Sequence, residues 1–206
     1  MIGLTLIKAT ALPKVAQGLT LNASGCTIIA FVAQKQFLNQ FVITRRKNMG
    51  VVLARIDQRL IHGIVVTQWA GFTKAKRLMV VDDEISHDET QKEVMRMSKP
   101  VGTNMSIIDT ATAITNFNNG KYDDHNVLLI VNSPETLLRL VNGGVKIPKV
   151  NIGIIFDGED KTTLKKMVSV NKKETDDLKE LSSKGIPVTF HFVPNDVEEP
   201  LETYIK

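Results

Sequence analysis

The run "VLLIV", Val127–Val131, has no polar position. A strand with one wet face alternates polar and apolar residues, so a run that is apolar throughout must be covered on both sides. Three more segments share this character: "VVLARI" (Val51–Ile56), "RLMVVD" (Arg77–Asp82) and "KVNIGII" (Lys149–Ile155). The stretches between them read mostly as helices. Asp88 to Ser98 opens with acids and carries Lys92 and Arg96 later, with Lys99 just beyond, as a helix dipole favours. Thr110 to Asn118 is helical after the strand "MSIID" (Met105–Asp109). "SPETLLRLVNGG" has Ser133 as N-cap, Pro134 in its first turn and Gly143–Gly144 as its stop. "HGIVVTQWAGFT" reads as a helix despite its β-branched residues, and Asn171 to Lys184 as a charged helix closed by Gly185. "KKMVSV" (Lys165–Val170) and "PVTFHFV" (Pro187–Val193) are further strands, the second clearly alternating. Buried strands separated by helices predict an α/β fold: an open, mainly parallel sheet of about seven strands with helices on both faces.

Charge divides the chain. Met1 to Asn48 contains Lys8, Lys14, Lys35, Arg45, Arg46 and Lys47 and no acid, whereas the whole chain carries only +4. The rest is therefore slightly acidic, which argues against a nucleic-acid surface on the α/β part. The composition shift places a boundary between a basic extension, residues 1–48, and a domain, residues 49–206. Arg45-Arg46-Lys47 can be encoded by AGG AGG AAA, a ribosome-binding sequence just ahead of the Met49 codon. Residues 1–48 thus read as a translated leader or a poorly ordered extension, with "TIIAFVA" (Thr27–Ala33) as the part most able to pack. The single cysteine, Cys26, excludes an internal disulfide framework. No apolar stretch reaches the roughly 18 residues of a membrane span.

The densest polar cluster is "RIDQRLIHG", Arg55 to Gly63, at the carboxyl end of the first strand and the start of a helix. In open α/β sheets ligands bind outside the carboxyl ends of strands. A helix start at His62 offers free N–H groups and partial positive charge, which suit a phosphate. Arg55 and Arg59 add forked donors that match phosphate oxygens. Asp57 is placed to hold one imidazole nitrogen and leave the other free to attack. Histidine, two arginines and a helix start suffice for phosphoryl transfer, with no cofactor and no metal. The plain alternative is a capping histidine among surface ion pairs.

Other residues carry weaker signals. His87 beside Asp88 is expected to cap a helix, and His125 in "KYDDHN" to be solvated. His191 alternates with Phe190 and Phe192 and is expected to pack rather than react. Trp69 is expected in the core. Asn132–Ser133–Pro134 follows a strand end and stands near the same loops. "VVDDE" (Val80–Glu84) resembles the opening of a response-regulator receiver domain, but "VLLIV" is followed by Asn132 where that reading needs an aspartate. A non-catalytic module that binds a phosphometabolite through the arginine pair is a third reading.

"ARIDQRLIHGIVVTQWA" resembles the signature of the enzyme IIB subunit of the mannose–fructose–sorbose family of the bacterial sugar phosphotransferase system. The likeness continues in "VVDDEISHDETQKEVMRMSKP", "VLLIVNSPETLLRLVNGGVKIPKVNIG" and "LKELSSKGIPVTFHFVP", from about Met49 to the C-terminus. Ile154, Ile155 and Asp160 stand where the family often carries a "GG-M" run and a "GK" loop. The resemblance implies an open parallel sheet with helices and a phosphorylated His62, flanked by Arg55, Asp57 and Arg59. It implies a phosphorylated IIA protein as donor and transfer to a sugar imported through the IIC–IID membrane permease. It also implies a cytoplasmic protein at the inner face of the plasma membrane. A homodimer is left open.

Overall fold

A computed structural model describes residues 50–205. The leader reading of residues 1–48, with Cys26 and "TIIAFVA", and the Met49 start lie outside the described residues. Nine strands are described: β1 (Gly50–Asp57), β2 (Arg77–Val81), β3 (Asn104–Ile108), β4 (Asn126–Val131), β5 (Val150–Ile154), β6 (Thr162–Lys165), β7 (Val168–Val170), β8 (Val188–Phe190) and β9 (Glu199–Pro200). Seven form one sheet in the order β3-β2-β4-β1-β5-β8-β9, parallel except for β9, while β6 and β7 make a separate hairpin. The expected open, mainly parallel sheet is therefore present.

The apolar strands divide their side chains between two cores. Met79, Val81, Val127, Leu129 and Val131 face one core, and Leu78, Val80, Leu128 and Ile130 the other. The helices are α1 (Val65–Trp69, continued by Ala70–Phe72), α2 (Glu89–Met97), α3 (Thr110–Asn118), α4 (Pro134–Asn142) and α5 (Lys172–Ser183). Ala113 of α3, Leu137 and Leu140 of α4, and Leu178 and Leu181 of α5 close the first core. Val65, Trp69 and Ala70 of α1 close the second, with Met95 of α2 against it. The connection after β1 thus leads to one face of the sheet, and the chain after β5 leads on to α5 on the other. The carboxyl ends of these adjacent strands form the crevice where connections diverge.

Local chemistry sets the helix ends. Ser133 caps α4 and Asn171 caps α5 in a full capping box with Glu174. Asp88, not His87, caps α2, accepting from the Gln91 N–H, and His87 ends a short 3₁₀ turn. Asp83 accepts from the Thr110 N–H at the start of α3, which chiefly pulls its pKa down to about 2, and pairs with Arg139 of α4.

Two strand expectations need correction. "KKMVSV" is not one strand: β6 ends at Lys165, β7 begins at Val168, and Met167 turns between them with φ 74°. The pattern showed no glycine or asparagine there to mark the left-handed turn. "PVTFHFV" stops being a strand at Phe190, because the Phe192 and Val193 N–H groups turn onto the Asp196 carboxylate. Among the described residues no helix is long and apolar enough to cross a membrane.

Candidate functional site

β1 carries Arg55 and Asp57 into the crevice, and a tight turn carries the chain to His62. The Leu60 N–H donates to the Asp57 carbonyl at 2.9 Å, the Arg59 N–H donates to Asp57 Oδ1 at 3.1 Å, and Leu60 takes φ 52°. The Gln58 N–H donates to the Ile154 carbonyl, and the Gln58 side chain accepts from the Phe156 N–H. The loop is therefore tied to the end of β5 on both sides of its peptide. His62 sits at the helix start: its carbonyl accepts from the Val66 N–H at 3.1 Å. The N–H groups of Gly63, Ile64 and Val65 precede the first intrahelical bond, as at any helix start. The first turns are widened, the Ala70 N–H donating to the Val65 carbonyl in a π turn that buries both Val65 and Trp69.

Asp57 is fully buried and acts as a hub. Its Oδ2 accepts from Arg55 Nε at 3.0 Å and lies 2.9 Å from both Arg55 Nη2 and His62 Nε2. With a carboxylate as partner, Nε2 carries the ring hydrogen and Nδ1 keeps its lone pair. Asp57 thus stands against one imidazole nitrogen of His62. The His62 side chain is only 8% exposed, more covered than a histidine that partners must reach was expected to be, because the ring lies down on Asp57.

The two arginines part company. Arg59 is exposed, and its side chain has no partner among the described residues. Arg55 was expected to grip phosphate oxygens; instead its guanidinium is wholly buried and committed. It donates to Asp57, to the Asn151 side-chain oxygen and, at 3.4 Å, to the His191 carbonyl, and its Cζ lies 4.9 Å from the Trp69 ring centre. Burial lowers its pKa, the Asp57 charge opposing the shift. Arg55 supports Asp57 from below and does not reach the surface.

Gly153, Asn151 and His191 join the site without having been singled out for it. A Cβ on Gly153 would stand 2.0 Å from Arg55 Nη2 and 2.1 Å from Cζ, so the guanidinium lies flat on the β5 backbone. Gly153→Ala is expected to displace Arg55, costing about 1–3 kcal/mol of stability as overpacking. The shift would pass through Asp57 to His62. Urea unfolding checks this; an unchanged midpoint would show that the guanidinium can settle elsewhere.

Trp69 borders the site through Arg55 and His191, and the other candidates lie apart. Trp69 is buried, as expected, and donates to the Phe192 carbonyl. His125 is half-buried and paired with Asp124. Asn132 donates to Asp82 Oδ2 at 2.6 Å, while Asp82 Oδ1 accepts from the Glu84 and Ile85 N–H groups. With its paired acids spent on these bonds and on Thr110 and Arg139, the receiver reading loses its metal ligands; among the described residues no cluster of acids, histidines and cysteines could hold a metal.

The family model described as the PTS system sorbose subfamily IIB component matches residues 51–206. The chain belongs to that family. The mannose-specific EIIAB component of Escherichia coli K12 is 38% identical over 148 residues, 72% of this chain and 46% of the relative. The chain thus spans about half the length of that relative. The sorbose-specific EIIB component of Lacticaseibacillus casei is 33% identical over 72% of this chain and 90% of its own length. The crystal structure of the IIB domain of the Klebsiella pneumoniae sorbose permease aligns with a TM-score of 0.70 at 31% identity, covering 73% of this chain and 92% of that one. As a sorbose-type IIB chain, this protein carries its polar crevice on the fold of sugar phosphotransferase components.

Proposed function

We propose that this chain is a phosphohistidine relay: it accepts a phosphoryl group on His62 from a phosphorylated IIA protein and passes it to a sugar entering through a IIC–IID permease. The observation that carries this reading is the 2.9 Å contact between Asp57 Oδ2 and His62 Nε2, which leaves Nδ1 as the free nucleophile at a helix start. In the transfer the donor's N–P bond breaks and its electron pair returns to the donor imidazole. The Nδ1 lone pair forms the new N–P bond, and the hydrogen on Nε2 stays against Asp57, which stabilises the resulting imidazolium charge. The helix start and the exposed Arg59 are the groups placed to meet the phosphoryl oxygens, whose charge is spread in a loose transition state. Arg55 serves by holding Asp57 in place. The permease places the protein in the cytoplasm at the inner face of the membrane. The domain boundary near Met49, with residues 1–48 as leader, belongs to the same proposal and rests on the charge shift.

The test is to incubate the full chain with phosphoenolpyruvate, the general phosphotransferase proteins and a IIA domain, and to map the label. One acid-labile, base-stable phosphate on Nδ1 of His62 is expected, located by long-range proton–nitrogen NMR. Label on an aspartate or on another histidine would overturn the assignment. Reversible binding of phosphate with no covalent product would favour the binding-module reading.

A further inference from the structure

Beneath His62 runs a chain of hydrogen bonds in which every member has a forced polarity. A guanidinium only donates. Arg55 Nη1 meets the Asn151 side chain, so the Asn151 oxygen faces Arg55 and its Nδ2 faces the other way. Nδ2 lies 3.0 Å from the His191 carbonyl and 3.3 Å from His191 Nδ1. Nδ2 can only donate, so His191 Nδ1 must accept with a lone pair, and the hydrogen of that ring sits on Nε2. In the other direction Arg55 donates to Asp57 Oδ2, which accepts from His62 Nε2. Reversing any one bond sets two donors face to face in a buried place.

We propose that Asn151 and His191 are positioning residues for phosphoryl transfer at His62, and that the chain holds only while His191 is neutral. The inference rests on the reading of His62 as phosphoacceptor. Protonating His191 puts a hydrogen on Nδ1 opposite the Asn151 amide hydrogen. Asn151 then leaves its place, Arg55 loses an acceptor, and the guanidinium, pinned between the Trp69 ring and the Gly153 backbone, pulls on Asp57. A disturbed Asp57 no longer fixes the hydrogen on His62 Nε2, and Nδ1 is no longer reliably free.

The surroundings favour the neutral ring and still let a proton arrive. His191 is buried, with the Trp69 ring tilted at 45° against it, 4.9 Å away between ring centres. Burial is the main cause that depresses its pKa; Lys149, ahead of β5, and Arg55, on β1, act in the same sense, while Glu198 and Asp196, after β8, oppose it. Lys149 and Glu198 pair with each other at the rim of a cavity of about 190 Å³ lined also by Leu53, Trp69, Phe72 and His191. Both rim side chains are partly exposed, so the cavity gives solvent a path to the ring.

Two measurements on the full chain test this. With histidine ring nitrogens labelled, long-range proton–nitrogen NMR should find both His62 and His191 with hydrogen on Nε2. The step at which His191 titrates should be echoed at His62. Initial rates of transfer from a phosphorylated IIA domain are then compared between the wild type and His191→Gln, whose amide oxygen can accept from Asn151 but never titrates. The same donor serves both, so the ratio of variant to wild-type rate cancels the donor's own pH dependence. Below the His191 titration this ratio should rise about tenfold per pH unit. A flat ratio, or a His191 step with no response at His62, would overturn the proposal. The NMR measurement needs no donor. If no phosphate reaches His62 at all, the relay reading fails, while the coupling of the two rings is still decided.

Discussion

His62→Ala is expected to abolish covalent phosphate on the protein while leaving the fold standing. Among the described residues, the substitution removes the only free imidazole nitrogen in the crevice, and it leaves the buried framework intact. Asp57 keeps Arg55 Nε at 3.0 Å, Arg55 Nη2 at 2.9 Å and the Arg59 N–H at 3.1 Å. Water at the edge of the loop can replace the lost Nε2–H, so the cost is about 1 kcal/mol, that of an ordinary hydrogen bond. Label incorporation should fall to background, and the urea midpoint should shift little. Residual label of wild-type extent would place the acceptor elsewhere. A collapse of stability would mean that the ring is part of the framework rather than a group resting on it.

The fold was legible where burial wrote itself into composition. β2 and β4 are apolar at nearly every position because helices cover both faces of the sheet, and α4 was delimited by Ser133, Pro134 and Gly143. Where pairing depends on backbone turns instead, the pattern failed. The β6–β7 hairpin turns on a methionine at φ 74°, and β9 is two residues long, Glu199–Pro200, with no apolar signature. The local part of the site was legible as a cluster because Arg55, Asp57, Arg59 and His62 lie within eight residues. Its foundation was not: Asn151 and His191 meet Arg55 from 96 and 136 residues away. A signal was nonetheless present. "VNIGI" places an amide and a glycine inside a strand otherwise apolar throughout. A buried amide must find partners, and a glycine in a strand marks a close approach. The burial of Arg55 is what turned a pair of phosphate-gripping arginines into one support and one exposed cation.

Asp57→Asn is expected to damage both stability and chemistry, in contrast to His62→Ala. The carboxylate uses its two oxygens differently: Oδ2 takes Arg55 and His62, and Oδ1 takes the Arg59 N–H. An amide supplies only one acceptor oxygen. If that oxygen faces Arg55, the new NH₂ meets the Arg59 N–H and the Asp57–Leu60 turn loosens. If it faces Arg59, the NH₂ confronts the guanidinium and pushes the His62 hydrogen onto Nδ1, removing the nucleophile. The first arrangement wins, because a buried guanidinium facing donors is the costlier fault. Even so, Arg55 has lost its only buried counter-charge among the described residues, and removing one member of a buried ion pair costs about 3–5 kcal/mol. The imidazolium formed on phosphorylation loses a charge-assisted bond worth about 1.5–3 kcal/mol, so transfer should slow roughly ten- to a hundredfold beyond any loss of folded protein. Asp57→Asn should therefore unfold at clearly lower urea than His62→Ala, and yet retain a slow, measurable incorporation of phosphate. Equal midpoints for the two variants would mean that Asp57 serves His62 alone and that Arg55 is held by Asn151 and the His191 carbonyl without it.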